Sequence, residues 1–216
     1  MIANLWQDKQ AAAFQDAAGP DPMARELALR VYTSRLIGQD PDLVMHGGGN
    51  TSVKLRARDV MGHEIDVLHV KGSGWDLETI EAEGLPAVRL APLMELHALD
   101  APTDEAMVTV QHANLLDSTA PNPSVETLLN ACLPPRCIDH THATAFLTLA
   151  NLPELAEVTR DYLATVWYWC PISCRALRCP KRQRLCSRPI RTQRVCFWSS
   201  TAISHGGRLR RHRMIG

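Results

Sequence analysis

The last acidic residue of the chain is Asp161. Residues 1–169 hold 11 Lys and Arg against 23 Asp and Glu, a net charge of −12, whereas residues 170–216 hold 12 basic residues and no acid. The overall charge of zero is a cancellation between two unlike stretches. Cysteine divides in the same way, with Cys132 and Cys137 in the long part and Cys170, Cys174, Cys179, Cys186 and Cys196 in the tail. The tail contains no acid and shows no helical period. The folding information is therefore expected in residues 1–166, with residues 167–216 a basic, Cys- and Arg-rich, disordered tail.

The long part has the composition of one globular domain: 45% of the whole chain is hydrophobic and only 5% aromatic. No apolar run approaches the about 18 residues that a membrane span needs. The opening MIANLWQDKQ lacks the basic and apolar regions of a secretory signal, so the expected compartment is the cytoplasm.

Asp21-Pro22 ahead of MARELALRVYTSRLI and Gly38 supplies an N-cap, a proline at the first helical turn and a glycine stop, and predicts a helix. In residues 51–58, Val53, Leu55 and Ala57 alternate with Lys54, Arg56 and Arg58, which is the period of a half-buried strand. DVLHV, residues 66–70, is a second strand, and the turn around Met61-Gly62 makes the two an antiparallel hairpin. ETIEAEG (78–84), LAPLMELHAL (90–99), VETLLNACL (125–133) and residues 153–162 are expected as further helices, and RCIDHTHA as a strand running into a turn. Helices interleaved with mostly antiparallel strands define a three-layer α/β or α+β domain without internal repeats.

Four clusters carry possible chemistry. In His46-Gly47-Gly48-Gly49-Asn50-Thr51-Ser52, consecutive glycines free backbone N–H groups to face an anion, and Asn50, Thr51 and Ser52 add side-chain donors. Lys71-Gly72-Ser73-Gly74, directly after a strand, offers similar donors and a cation. Either alone reads as an ordinary turn; two such loops leaving neighbouring strands are more telling, because an anion needs donors from several directions. His140-Thr141-His142 places two imidazoles on one face of an extended segment, the spacing for a shared metal ion, although a bare His-x-His is usually structural and a catalytic zinc site takes three protein ligands. Ser124-Val125-Glu126 opens a helix, where Ser124 is a cap or a ligand and Glu126 a surface acid or a general base.

In this order Gly-Gly-Asn-Thr-Ser, Lys-Gly-Ser-Gly, Pro-Ser-x-Glu and His-x-His resemble the class II aldolase/adducin family. The longer strings VKGSGWDL, GLPAVRL, NPSVETLLNACLP and DHTHA look most like the aldolase half of bifunctional rhamnulose-1-phosphate aldolase/alcohol dehydrogenase proteins, over residues 27–162. The resemblance implies a three-layer α/β/α fold with a mostly antiparallel central sheet, its C-terminal part incomplete here. It implies a zinc ion held by three histidines, of which His140 and His142 are two. Glu126 becomes the acid/base, and Asn50, Thr51, Ser73, Gly74 and Ser124 hold the phosphate. The implied reaction is retro-aldol cleavage of a sugar 1-phosphate to dihydroxyacetone phosphate and an aldehyde, in a homo-oligomer, the family's form being a tetramer. The implied partner is a small sugar phosphate, with no nucleic acid and no membrane. The other reading is a non-catalytic, adducin-like binding module; the retained His140, His142 and Glu126 speak against it.

Two features depart from the family. No Gly-x-Gly-x-x-Gly of a dehydrogenase half is present, and the third histidine, expected in a His-Gly pair, has only His205-Gly206 as a candidate, in surroundings that do not fit. Read from the third base of each codon, residues 169–179 permit Val-Pro-Tyr-Ile-Met-Pro-Gly-Phe-Ala-Leu, and residues 199–207 permit Lys-His-Gly-His-Phe-Thr-Trp-Gly. Both strings look like the family at these places, and the second supplies the missing pair. The expectation is a frameshift between residues 163 and 167, so that the tail's cysteines and arginines serve neither metal nor nucleic acid.

Overall fold

The computed structural model of the chain describes residues 4–99 and 103–150, together with strands at 167–170, 195–198 and 201–206. Helix α1 (Asp8–Ala17) packs antiparallel on α2 (Pro22–Gly38). The Asp21 carboxylate caps α2 by accepting the Ala24 N–H at 3.0 Å, with Pro22 in the first turn as expected. Tyr32 on α2 ties the pair together: the rings of Trp6 and Phe14 lie 5.3 and 5.2 Å from its own, and its hydroxyl accepts the Gln7 N–H.

Past α2 come β1 (Asn50–Arg58) and β2 (Glu64–Val70), an antiparallel hairpin in the register Ser52 to Val70 and Arg58 to Glu64. Then follow β3 (Ala87–Arg89), α3 (Leu90–Ala98), α4 (Asp104–Ala113), α5 (Thr127–Cys132), β4 (Cys137–Thr141) and α6 (Thr144–Ala150). Strands β5 (Trp167–Cys170), β6 (Val195–Trp198) and β7 (Thr201–Gly206) complete a sheet ordered β3-β2-β1-β4-β7-β6-β5. Its pairings are antiparallel except β5 with β6.

Strand alternation explains the three layers. Val53, Leu55, Ala57 and Val67 point to one face and meet Leu27, Val31 and Ile37 of α2. Leu68 and Val70 point to the other and meet Leu93 and Leu96 of α3, Met107 of α4, and Leu128 and Ala131 of α5. The neighbours Val67 and Leu68 are both fully buried, which a central strand covered on both faces requires. Gly38 lets α2 come down on the next layer: a Cβ there would stand 2.1 Å from the Glu78 nitrogen.

Some expectations need correction. Residues 78–84 form only a short 3-10 turn, Ala82–Gly84. Ile80 and the flanking Leu77 and Leu85 are buried as plugs beneath α2 rather than along a helical stripe. Helices α1, α4 and α6 and strand β3 were not foreseen, and the helix expected over residues 153–162 lies outside the described residues. The tail, expected to be disordered, contributes β5, β6 and β7, and its other residues lie outside those described. Among the described residues no helix is long and apolar enough to cross a membrane.

Candidate active site

Because β1 runs antiparallel to both β2 and β4, its first residue lies at the same end of the sheet as their last ones. Asn50 is registered opposite His140, and Ser52 opposite Val70. The glycine loop entering β1, the Lys71 loop leaving β2 and the histidines ending β4 therefore share one edge.

The glycine loop is shaped by close contacts. Gly49 has φ +71°, and a Cβ on it would stand 2.6 Å from Val44 Cγ1 and 2.9 Å from the His140 carbonyl oxygen. A Cβ on Gly48 would lie 3.5 Å from His142 Nδ1, so the loop runs alongside that imidazole. Lys71 clasps the loop from below: its Nζ donates to the Gly47 carbonyl at 3.0 Å, and its own N–H donates to the Thr51 carbonyl at 3.0 Å.

The Lys71 loop is stitched to the segment before α5. The Lys71 carbonyl accepts the Ser124 N–H at 3.2 Å, and the Ser73 N–H donates to the Asn122 carbonyl at 2.8 Å. Ser73 and Gly74 are exposed and Ser124 is half-buried. The Ser124 hydroxyl accepts the Glu126 N–H at 3.2 Å, so Ser124 holds the turn that delivers Glu126. Glu126 Oε1 reaches 2.6 Å from His140 Nδ1, and the His140 and His142 rings lie 4.9 Å apart.

His140 is 4% exposed, yet neither ring nitrogen has an aligned hydrogen-bond partner in the structure. Burying a polar nitrogen without a partner is costly, and a donor atom awaiting a cation is one resolution of it. Burial first, and then the neighbouring His140, hold the His142 pKa below its ordinary value, which favours the neutral imidazole that ligates metals. Burial likewise lowers the Lys71 pKa, against the opposing pull of Glu126 and then Asp76.

Of the eight residues singled out from the sequence, Asn50, Ser73, Gly74, Ser124, Glu126, His140 and His142 belong to these three converging loops and the turn before α5. Thr51 does not join them by its side chain. Its hydroxyl is fully buried and lies 2.8 Å from that of Ser34. Among the described residues no group of three His, Cys, Asp or Glu side chains is arranged to hold a metal ion. His205 on β7 is registered opposite Ile138, while Ile203 is opposite His140.

Sequence reasoning missed the supports. Asn130 on α5 is buried and donates from Nδ2 to Asn50 Oδ1 at 3.2 Å, fixing that amide. Arg30 on α2 is buried, donates to the Ile138 carbonyl at 2.8 Å and pairs with Asp139. The spacing of Arg30 and Ser34, four apart on the face of α2 that also carries Leu27 and Val31, was the signal that could have found this seam.

The chain matches the family described as Class II Aldolase and Adducin N-terminal domain over residues 28–191, and it belongs to that family. The N-terminal class II aldolase domain of a conserved protein from Thermoplasma acidophilum has the same fold, with a TM-score of 0.79 and 32% identity, covering 95% of this chain and 90% of that one. YgbL from Klebsiella pneumoniae, 13% identical, shares the fold with a TM-score of 0.55 over 92% of this chain and 81% of that one. In sequence, the chain is 36% identical over 171 residues to the uncharacterized oxidoreductase YuxG of Bacillus subtilis (strain 168), a match covering 79% of this chain. It spans about a quarter, 24%, of that relative's length.

Proposed function

We propose that this domain is built for metal-dependent retro-aldol cleavage of a sugar 1-phosphate of the rhamnulose type, yielding dihydroxyacetone phosphate and an aldehyde. The observation that carries the reading is His140: buried, with Nε2 unpartnered, His142 beside it and the Glu126 carboxylate against Nδ1. The two imidazoles fit two of the three nitrogen donors that a catalytic zinc takes, and the third is not among the described side chains. His140 and His142 would hold the cation, which when bound supplies Lewis-acid polarisation of the substrate carbonyl.

The chain's own residues do the rest. Breaking the carbon–carbon bond requires removal of a hydroxyl proton and return of a proton to the carbon that loses the bond, and in this reading Glu126 is the base that carries it. Asn50, Ser73, Gly74 and Ser124 receive the phosphate, with Thr51 bracing β1 through Ser34. The active assembly is a homo-oligomer in the cytoplasm.

The basic tail is in this reading an off-frame translation, which removes the third histidine and leaves the literal chain weakly active. The test compares this chain with a version whose reading frame is restored after residue 163. The restored protein should bind one zinc ion per subunit and cleave rhamnulose 1-phosphate, with both lost in His140→Ala. A restored protein that binds zinc yet cleaves no sugar phosphate sinks the reading. Nucleotides around codons 160–216 that exclude the shifted strings sink the frameshift.

A further inference from the structure

His46 opens the glycine loop and takes no part in the chemistry assigned so far. Among the described residues it is the only non-glycine with a positive φ, +51°. The Gly48 N–H donates to the Met45 carbonyl at 3.0 Å, so His46 holds the second position of a four-residue turn, where a positive φ is ordinarily met by Gly, Asn or Asp. A histidine held there costs conformational energy that glycine would not. No bond offsets that cost: the side chain is exposed, and its imidazole makes no hydrogen bond or ion pair among the described residues. Backbone strain kept without a structural return points to work done by the side chain.

The turn is fixed at the site edge. Directly after His46, the Gly47 carbonyl accepts from Lys71 Nζ at 3.0 Å, a Cβ on Gly48 would lie 3.5 Å from His142 Nδ1, and one on Gly49 would lie 2.9 Å from the His140 carbonyl oxygen. The loop entering β1 thus brings an imidazole to the edge that the turn before α5 supplies with Glu126.

We infer that His46 is a second catalytic residue, which takes the proton of the hydroxyl that becomes the aldehyde carbonyl and leaves Glu126 to return a proton to the ketone-side carbon. The inference rests on the aldolase reading and divides between two groups the proton work given there to one. Retro-aldol cleavage moves protons at two atoms, an oxygen on the aldehyde fragment and a carbon on the ketone fragment. The hydroxyl O–H bond breaks toward the imidazole, and its electron pair forms the aldehyde C=O as the carbon–carbon pair passes to the ketone fragment. The protonated Glu126 carboxyl then gives that fragment's carbon its proton. The imidazolium hands its own proton through water to the Glu126 carboxylate, so none is gained or lost. Imidazole is the side chain that most often does such work near neutral pH.

Two reactions of the zinc-loaded, frame-restored full chain separate the two roles. His46→Asn should lower kcat for rhamnulose 1-phosphate cleavage at least about 100-fold while KM stays within about threefold of the parent. Exchange of deuterium from heavy water into dihydroxyacetone phosphate, followed by NMR, involves only the ketone-side carbon and should stay within about threefold of the parent. His46→Gly, which suits the left-handed backbone, should show the same split. In the unrestored chain its ligand-free melting temperature should be unchanged or up to about 4 °C higher; a fall would mean that the imidazole holds the loop, and overturns the assignment. Full cleavage by either variant overturns it too and leaves the aldolase reading standing. Loss of cleavage and exchange together also overturns it, because His46 then supports the site as a whole. A parent that cleaves no sugar phosphate overturns the aldolase reading, and the assignment with it.

Discussion

Replacing Asp139 by alanine should be among the most damaging single changes available outside the apolar core. Arg30, 1% exposed by its side chain, pairs with Asp139, whose side chain is 19% exposed. The guanidinium also donates to the Ile138 carbonyl at 2.8 Å, and its Nε has no partner. Removing one member of a buried ion pair leaves the other charge uncompensated, a loss of about 3–5 kcal/mol. Water at the exposed side of Asp139 and the surviving bond to Ile138 place this case near the lower end, about 3 kcal/mol. With an m value of about 2 kcal/mol per molar urea, the midpoint of Asp139→Ala should fall by about 1.5 M. Arg30→Met removes the buried charge itself and should lose less, about 1–2 kcal/mol. Adding Arg30→Met to Asp139→Ala should therefore recover stability, with a coupling of about 2 kcal/mol. Urea unfolding followed by circular dichroism on the four proteins gives the full cycle. A shift under about 0.3 M for Asp139→Ala, or a double variant no more stable than Asp139→Ala, refutes the reasoning.

Further outcomes follow from single contacts. Gly38→Ala places a Cβ 2.1 Å from the Glu78 nitrogen and 2.4 Å from the Leu77 carbonyl carbon; both are backbone atoms, so thermal unfolding should show a net loss of about 2–3 kcal/mol despite the better helix former, and an unchanged melting temperature would show that the 77–78 turn is not pressed on α2. Gly49→Ala, with φ +71° and His140's carbonyl 2.9 Å from the new Cβ, should lower stability by about 1–3 kcal/mol and disturb the His140 ring signals in NMR spectra; a variant with native stability and shifts contradicts this. His69 is buried, its Nδ1 bonded to the Leu85 carbonyl at 2.9 Å and its Nε2 unpartnered, and burial lowers its pKa from 6.5. The unfolded chain then takes up a proton that the folded one refuses, so the His69 contribution is constant well above pH 6.5 and stability is lost as pH falls below it, by at most about 1.4 kcal/mol per pH unit. His69→Asn should flatten that loss, and urea midpoints falling equally in both proteins between pH 7.5 and 5.5 would exclude His69 as its source. Burial pushes the Cys132 thiol up to about 12 and raises that of Cys137, so mass-mapped iodoacetamide labelling at pH 8 should find both unmodified in the folded chain and modified in urea.

Much of the central hairpin and its site was legible because local chemistry and tertiary role coincide there. Alternation in residues 51–58 and β-branched residues in 66–70 describe strands wherever they pack, and Asp21-Pro22 describes a helix start before any neighbour is known. The site loops were legible as residue types but not as a constellation; the antiparallel pairing of β1 with β2 and β4 is what supplies their convergence. What escaped were elements defined by contact. Ala-rich α1 carries only one buried residue, Ala11, and shows little stripe, and β3 is three residues long, too short for a period. The supports escaped for a related reason. Arg30, Ser34 and Asn130 look like surface residues by type, and only the sheet laid against them turns them into buried partners of Asp139, Thr51 and Asn50.

Those supports bear on chemistry through register. Side chains of β4 alternate between faces, so a slip of one residue would turn His140 away from Glu126 and bring Asp139 in its place. The pairing of Asn50 with His140 is one end of a ladder only four residues long, Asn50 to Val53 against Cys137 to His140, and short ladders hold register weakly by themselves. Arg30 acts as a pin, because its guanidinium grasps the Ile138 carbonyl and the Asp139 carboxylate from α2, and neither neighbour of Asp139, Ile138 or His140, carries a carboxylate. Ser34 pins β1 in the same way through Thr51. Two residues of α2, one helical turn apart, thus fix the relative position of the two strands that present Asn50 and His140. The polar seam on the far side of the strand is accordingly the reason that His142, a buried His140 and a Glu126 delivered from another segment meet at one place.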